Sequence, residues 1–299
     1  MKHTTSMPGV FDRAAEDLGK IVQFGHVNIA VPDHQLATAF YVTGLGLTRD
    51  PFMMTGCDNM WVNAGQEQLH LPLGRAQVLR GCIELVVPDA GRLRTRLEGL
   101  AGALAGTHFG MREREDGLEV RCPWGNRFRC RAAQADRCGY LGLGITALHF
   151  DVADSVDLHG IVRFYRHILG ARCGLGHDRD GPFAWVGLGA SARLVFRGTR
   201  QITDHYDGHH IQITLANFSG PYRRLRDRGL ISEESDQHQY RFRDILDPRT
   251  REPLLTLEHE VRSMRDPMYG RTLLNRNPSQ VNDAYVPGRD SLGSALPIP

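Results

Sequence analysis

The sequence predicts an α+β fold built from four copies of a βαβββ module. Four strand-like segments of the same pattern recur along the chain, and they carry His26, Cys82, His149 and His210 at the equivalent position. The intervals between these residues are 56, 67 and 61 residues. Each segment alternates apolar and polar residues, as half-buried strands do. The intervals suit a small repeated α+β module rather than most solenoid repeats.

The element after each first strand is predicted to be a helix. Modules one and three share the motifs Phe40-Tyr41-x3-Leu45-Gly46 and Phe164-Tyr165-x3-Leu169-Gly170. Apolar residues in module three follow a single helical stripe, and the two glycines stand where a helix is expected to stop. Module two has Leu93, Leu97 and Leu100 at helical spacing, and module four has Phe218, Tyr222 and Leu225, ended by Gly229.

The remainder of each module is predicted to form short strands separated by Gly and Pro. The runs are residues 60–63, 68–71, 119–122, 127–131, 183–186, 193–197, 239–245 and 254–260. One sheet covered by one helix leaves its other face bare, so modules must pair to enclose a cavity. We therefore expect one paired-module domain at residues 20–135 and a second at 140–262.

Residues 263–299 fall outside the repeat and form an extended tail in this prediction. The tail is rich in Arg, Pro and Asn and ends in a Gly/Pro/Ser-rich stretch. Packing against a neighbouring module is the favoured outcome, and the alternatives are that the tail covers the mouth of a cavity or stays disordered.

Composition restricts the class of protein further. The chain has 299 residues, of which 41% are hydrophobic and 23% charged, and its formal net charge is +2. This balance argues against a dedicated nucleic-acid-binding protein. No apolar run reaches the ~20 residues of a membrane span, and the start lacks a hydrophobic signal core, so we predict a cytoplasmic protein. The six cysteines form no CxxC pair, which predicts reduced thiols.

Strand alternation indicates which side chains face the cavity of the C-terminal half. On the first strands of modules three and four, the apolar residues next to the histidines should pack on the helix. His149 and His210 therefore face the cavity. On the last strand Glu258 and Glu260 share the inward face, and Glu258 lies closer to mid-strand. The predicted metal ligands are therefore His149, His210 and Glu258.

Two imidazoles and one carboxylate with open positions form the facial triad of non-haem Fe(II) sites. The open positions can accept two substrate oxygens together with O₂. The N-terminal half offers His26 and His70, but Cys82 stands at the position equivalent to His210. We therefore expect the N-terminal pair to be structural and without a metal.

The repeat resembles the vicinal oxygen chelate superfamily, which includes glyoxalase I, bleomycin-resistance proteins and extradiol dioxygenases. Four βαβββ modules, the FY-x3-LG motif and the turn Cys122-Pro123-Trp124-Gly125-Asn126 carry the resemblance over residues 20–262. It implies a glyoxalase-like fold and is greatest to type I extradiol dioxygenases. The resemblance implies that His149, His210 and Glu258 of this chain would hold Fe(II).

The resemblance also implies a function: cleavage of a catechol-like small aromatic substrate by O₂ in a homo-oligomer. His238 and Tyr240 are the residues it suggests for acid–base catalysis. The histidine expected on the last strand of module three is absent from this sequence. Mn(II) remains an alternative to Fe(II) because oxygen and nitrogen ligands accept both ions.

Two other functions stay open. The first is another metal-dependent reaction on the same fold, such as an isomerisation or a non-catechol oxygenation, and the missing histidine favours it. The second is metal-free binding of a small molecule, as in the resistance proteins, and the paired histidines argue against it.

Overall fold

The four predicted modules are present in the computed structural model, which describes residues 14, 17–53, 56–133, 144–200, 206–277 and 291–292. Module one consists of β1 (Ile21–Asn28), α1 (His34–Ala37, continued by the π-helical turns Thr38–Gly44), β2 (Thr48–Arg49), β3 (Asn59–Ala64) and β4 (Glu67–Pro72). Module two consists of β5 (Gly81–Val87), α2 (Ala90–Leu100), β6 (Gly110–Arg114), β7 (Gly117–Arg121) and β8 (Arg127–Ala132).

The second half of the chain repeats this order. Module three consists of β9 (Gly144–Ala153), α3 (Leu158–Phe164, continued by the π-helical turns Tyr165–Leu169), β10 (Cys173–Asp178), β11 (Gly181–Leu188) and β12 (Ala192–Thr199). Module four consists of β13 (His210–Leu215), α4 (Ser219–Arg226), β14 (Ile231–Asp236), β15 (Gln239–Leu246) and β16 (Pro253–Ser263). Two short strands follow, β17 (Asn275–Arg276) and β18 (Ser291–Leu292).

The modules form two eight-stranded sheets, and the pairing differs from the prediction. Sheet 1 has the order β14-β15-β16-β13-β1-β4-β3-β2, and sheet 2 has the order β10-β11-β12-β9-β5-β8-β7-β6. Module one therefore pairs with module four, and module two pairs with module three. The assignment of residues 20–135 and 140–262 to separate paired domains is wrong in this respect. The strands that join the modules, β1 with β13 and β5 with β9, run antiparallel.

Local sequence explains where the first three helices start. Asp33, Asp89 and Asp157 each accept hydrogen bonds from backbone N–H groups in the first turn of the helix that follows. These caps satisfy amides that have no partner within the helix. At the far end of module three's helix Gly170 adopts a left-handed conformation (φ 69°), so the predicted glycine stop is confirmed there.

The apolar faces of the two sheets and the helices share one hydrophobic core. The Phe-Tyr pair of the repeated motif lies in this core, and Phe40, Tyr41, Phe164 and Tyr165 are all at most 1% exposed. Helix α1 packs closely on α2, since a Cβ added at Gly44 would lie 3.0 Å from a Leu97 methyl group. The polar faces of both sheets lie on the side opposite the helices, outside this core.

The described part of the tail packs on module one, as favoured by the prediction. Asn63 Nδ2 donates a hydrogen bond to the Leu274 carbonyl, and Asn275 Nδ2 donates to the Gly65 carbonyl. The segment at 264–274, here called the strap, leads from β16 to this anchor across sheet 1. Residues 278–290 and 293–299, which include most of the predicted Gly/Pro/Ser-rich end, lie outside the described residues. Among the helices that the structure describes, none combines the length and apolar character required to cross a membrane.

Candidate metal centre

Polar side chains line the face of sheet 1 opposite the helices, where module one meets module four. In the register, His26 of β1 lies opposite Gln212 of β13, and Asn28 lies opposite His210. Strand β16 runs parallel to β13 and places Glu260 beside Gln212. One ligand atom each from His26, His210 and Glu260 lies within 4.8 Å of the others. Within the described part of the chain this is the one group of His, Cys, Asp or Glu close enough to hold a metal ion.

The imidazoles of this group have the properties of metal ligands. His26 and His210 are 2% and 7% exposed, and the Nε2 atom of each is buried without a hydrogen-bond partner. The ring centroids are 5.7 Å apart. Burial lowers the pKa of His26 well below its usual value, so the ring is neutral and its lone pair is available. A buried nitrogen without a partner is costly, and a metal ion would satisfy both rings at once.

Carboxylate oxygens complete the donor set. Glu260 is 3% exposed, and its Oε2 lies 3.5 Å from His210 Nε2. Arg262 Nε donates to Glu260 Oε1 at 2.7 Å, while Arg241 donates to Oε2 at 2.7 Å and to Glu258 Oε1 at 2.7 Å. Burial acts against ionisation of Glu260, but contacts with His210, His26 and Arg262 outweigh it, and the pKa of this carboxyl lies well below its usual range.

A third histidine stands beside the group. His70 of β4 pairs with Asn28 in the sheet, and its Nδ1 lies 2.6 Å from Asn28 Nδ2. Its ring stacks on Trp61 at a centroid distance of 3.9 Å and lies 5.7 Å from the His26 ring. Burial lowers the pKa of His70 to about 4, so this ring is also neutral near pH 7.

The predicted ligand set is not brought together. His149 belongs to sheet 2, where it lies opposite Cys82, and its Nε2 is 3.4 Å from Glu84 Oε2. Glu84 also accepts from Thr146 and pairs with Arg131. His149 therefore lies in an ion-paired cluster of its own and does not share a site with His210. The physical reason is the module pairing, because β9 and β13 belong to different sheets.

The other predicted residues have separate outcomes. Glu258 does face the centre, with Oε1 3.7 Å from His210 Nδ1, although Glu260 is the carboxylate within the ligand group. Tyr240 packs against Phe218 and Tyr222 on the opposite face of the sheet. His238 lies in the turn before β15, with Nδ1 3.3 Å from Ser263 Oγ. The structure brings neither of these last two into the candidate centre.

Two residues of the ligand group, His26 and Glu260, were not among the predicted ligands, although the sequence carries signals for both. His26 occupies the same repeat position as His210, and strand alternation places it on the inward face. Glu260 shares its face with Glu258. The choice of Glu258 rested on its distance from the strand end, but β16 extends to Ser263, which puts Glu260 well inside the strand.

A cavity adjoins the group under the strap. It is small, with a volume of about 20 Å³, room for about one water molecule. Its lining comprises Gln23, Gly25, His26, Gln66, Gln68, Gln212, Arg262, Met268, Arg271 and Leu273. A Cβ at Gly25 would lie 1.6 Å from Gln212 Oε1, so the absence of a side chain there lets the Gln212 amide lie across β1.

Solved structures share this fold. Glyoxalase I from Zea mays aligns with a TM-score of 0.55 at 14% identity, over 81% of this chain and 92% of that one. A mutant form of the same maize enzyme gives a TM-score of 0.56 at 14% identity over the same shares. A candidate dioxygenase from Bacillus subtilis gives 0.54 at 14% identity, over 83% of this chain and 87% of that one.

No protein-family model matches the sequence, and no curated protein matches it. The structural likeness confirms the predicted glyoxalase-like fold. At this identity it leaves the reaction, the metal and the substrate to the chemistry of the site itself.

Proposed function

We propose that this chain is a metal-dependent enzyme of the vicinal oxygen chelate type, with His26, His210 and Glu260 as the ligands of one divalent ion. The observation that carries the proposal is the pair of buried imidazole Nε2 atoms that lack partners and lie next to a carboxylate oxygen. This donor set fits a divalent ion, because two neutral imidazoles and one carboxylate leave coordination positions open.

The finer proposal is an Fe(II)-dependent oxygenase acting on a small substrate with two adjacent oxygen atoms. A bound Fe(II) ion would supply the coordination of substrate and O₂ that such a reaction needs. Arg241 and Arg262 hold the two carboxylates in position. Asn28 and Trp61 fix the neutral ring of His70 beside the group. Ring cleavage of a catechol has the least support among oxygenations, since His238 and Tyr240 lie away from the centre.

A non-oxidative reaction such as an isomerisation is the second candidate. Glu258 favours it, because its carboxylate stands beside the ligand group without belonging to it and can accept a proton from a bound substrate. Isomerisation through proton transfer needs a base of this kind and no O₂. Arg241 Nη1 donates a hydrogen bond to Glu258 Oε1 and holds this carboxylate in place.

Metal content is the decisive measurement. The wild-type protein, purified without oxygen and reconstituted with Fe(II) or Zn(II), should retain one ion per chain after gel filtration. His26→Ala, His210→Ala and Glu260→Gln should each lose most of it. His149→Ala is the matched control, since that imidazole lies in sheet 2, and it should keep the ion. Equal retention by wild type and His210→Ala would overturn the assignment.

Oxygen consumption separates the two reactions. The Fe(II)-loaded protein is mixed with a panel of catechols and other vicinal-oxygen compounds in an oxygen-electrode cell. Uptake that disappears in His26→Ala supports the oxygenase. Turnover of a substrate without uptake, lost in Glu258→Gln while metal content is preserved, supports the isomerase.

A further inference from the structure

A groove opens between α4 and the hairpin of β14 and β15. It has a volume of about 230 Å³, room for a ligand smaller than the drug-sized molecules that occupy sites of about 300–1,000 Å³. Three aromatic side chains line it, those of Phe218, Tyr222 and Tyr240, together with the carboxyl groups of Glu234 and Asp236. We call this feature the aromatic groove.

The local sequence brings the three rings together. Phe218, just before α4, and Tyr222 within it are four residues apart, so both project from the same side of the helix. Tyr240 of β15 lies against both, with its ring centroid 4.9 Å from that of Phe218 and 5.4 Å from that of Tyr222. Tyr240 is 2% exposed, whereas the other two rings are half-buried. Tyr240 therefore forms the deepest part of the aromatic groove.

The two carboxylates of the aromatic groove are held in place and keep oxygen atoms to offer. Glu234 pairs with Tyr240 in the register of β14 and β15, and its Oε1 accepts a hydrogen bond from the Tyr222 hydroxyl at 2.5 Å. Asp236 Oδ1 accepts a hydrogen bond from the His238 amide at 2.6 Å. Each carboxylate thus uses one oxygen in these contacts and leaves the other available.

Neighbouring arginines are engaged elsewhere. Arg226 lies 5.8 Å from the centroid of the Tyr222 ring, but it pairs with Asp227 at 3.0 Å. Arg241 of the same hairpin pairs with the carboxylates of the candidate metal centre. Among the ion pairs of the described residues, none includes Glu234 or Asp236. The aromatic groove therefore presents negative charge that lacks an ion-pair partner.

Aromatic faces and carboxylates attract the same class of ligand. The face of an aromatic ring carries partial negative charge, so a cation binds over it, and a nearby carboxylate adds to the attraction. The rings also bury apolar area, which favours an ammonium ion that carries carbon groups. A metal ion suits the groove less well, since within the described part of the chain Glu234 and Asp236 belong to no cluster of three metal-ligating side chains.

We propose that the aromatic groove binds a small organic cation with an alkylated ammonium group, held between the rings of Phe218, Tyr222 and Tyr240 and the carboxylates of Glu234 and Asp236. This site is separate from the candidate metal centre. Tyr240 and Arg241 are successive residues of β15, so their side chains point to opposite faces of sheet 1. The proposal therefore does not depend on the metal, and either proposal can fail without the other.

A titration with choline and its uncharged counterpart, 3,3-dimethylbutan-1-ol, tests the proposal. The two molecules have the same shape, and a carbon atom of the alcohol replaces the charged nitrogen of choline. In ligand-observed NMR with the wild-type protein, the choline Kd should lie in the millimolar range and at least about fivefold below that of the alcohol. Equal affinities, or no choline binding at about 50 mM, would overturn the proposal.

Variants at two adjacent carboxylates test the position of the site. Glu234→Gln should raise the choline Kd by about fivefold and change the Kd of the alcohol by less than about twofold. Glu233→Gln is the matched control, because this carboxylate of the same strand lies opposite Arg241 in the register, 3.7 Å from its Nε, and points away from the groove. It should leave both values within about twofold. Equal weakening by the two variants would reveal a general effect of charge and contradict the site.

Variants of Tyr222 test the ring. Tyr222→Leu should raise the choline Kd by about fivefold, whereas Tyr222→Phe keeps the aromatic face and should stay within about twofold of the wild type. Equal choline affinity of the leucine variant and the wild type would contradict the role of the ring. Loss of choline binding in His210→Ala, with binding retained in Glu234→Gln, would place the cation at the candidate metal centre and reject the aromatic groove.

Discussion

A buried carboxyl group between the two sheets makes the stability of this protein dependent on pH. Glu67 of β4 is 1% exposed, and Ser191 Oγ, just before β12 of sheet 2, donates to its Oε1 at 2.6 Å. Burial raises the pKa of this carboxyl from 4.5 to about 8. Because the folded state then binds a proton that the unfolded state releases, the contribution of Glu67 to stability is fully present below pH 4.5. It is lost as the pH rises through about 8.

The size of the effect follows from the two pKa values. At 1.36 kcal/mol per pH unit, the contribution should fall by about 4 kcal/mol between pH 5 and pH 9. Glu67→Gln keeps an uncharged side chain of the same shape and should abolish this part of the pH dependence. The free energy of unfolding of the variant, taken relative to that of the wild type, should therefore be higher at pH 9 than at pH 5.

Urea denaturation at several pH values provides the measurement. Other groups titrate over this range, so the quantity compared is the wild-type free energy of unfolding minus that of the variant at each pH. Glu115→Gln, which replaces an exposed carboxylate (92% exposed side chain), is the control and should give a nearly constant difference. A constant difference for Glu67→Gln as well would show that the carboxyl is ionised in the folded protein, and the reasoning would be refuted.

Three further perturbations test the packing around the candidate centre. The wild type should lose about 2 to 3 kcal/mol of stability as the pH falls from 6.5 to about 4, because the buried neutral ring of His70 must then be protonated. His70→Gln should remove this loss, and urea titrations at pH 7 and pH 4 measure it. Tyr165→Phe should lower the free energy of unfolding by about 1 to 3 kcal/mol in denaturant titrations, because it removes the 2.9 Å contact to His259 Nε2 in the core. Gly25→Ala should cost about 1 to 3 kcal/mol in the same assay and weaken zinc binding, because the new Cβ displaces the Gln212 amide.

The repeat made the modules predictable from the sequence. Alternation over the four first strands, the shared FY-x3-LG motif and the glycine stops are local signals, and each corresponds to an observed strand or helix. The inward phase of His26, His210 and Glu260 is likewise a local property of a strand, and the sequence contains it. The side chains of the candidate metal centre could therefore have been identified from the sequence.

The pairing of the modules could not be predicted from these local signals. The first strands of all four modules alternate apolar and polar residues in the same way. The local pattern therefore does not show whether a module pairs with its neighbour in sequence or with a distant module. The expectation of adjacent pairing followed the general tendency of consecutive elements to be neighbours in space. Here β1 pairs with β13 instead, nearly the whole length of the repeat away. His149 and His210 were separated by this difference alone.

Register then decides which equivalent positions can share an ion. In sheet 1, His26 lies opposite Gln212 and His210 lies opposite Asn28, so the two imidazoles are diagonal neighbours with 5.7 Å between their centroids. In sheet 2 the equivalent residues, Cys82 and His149, lie directly opposite each other. The nearby carboxylate there is Glu84, whose pKa falls to about 2 because its contacts with His149 and Arg131 outweigh burial.

The two sheets therefore differ in more than the replacement of a histidine by a cysteine. A Cys82→His variant would gain a second imidazole on sheet 2, but its ring would face His149 directly, with Glu84 already engaged by Arg131. We expect the metal content of this variant to stay at one ion per chain. Two ions per chain would show that composition alone builds the site. One ion, lost on adding His210→Ala, would show that the diagonal register of β1 and β13 is what makes a metal centre of these side chains.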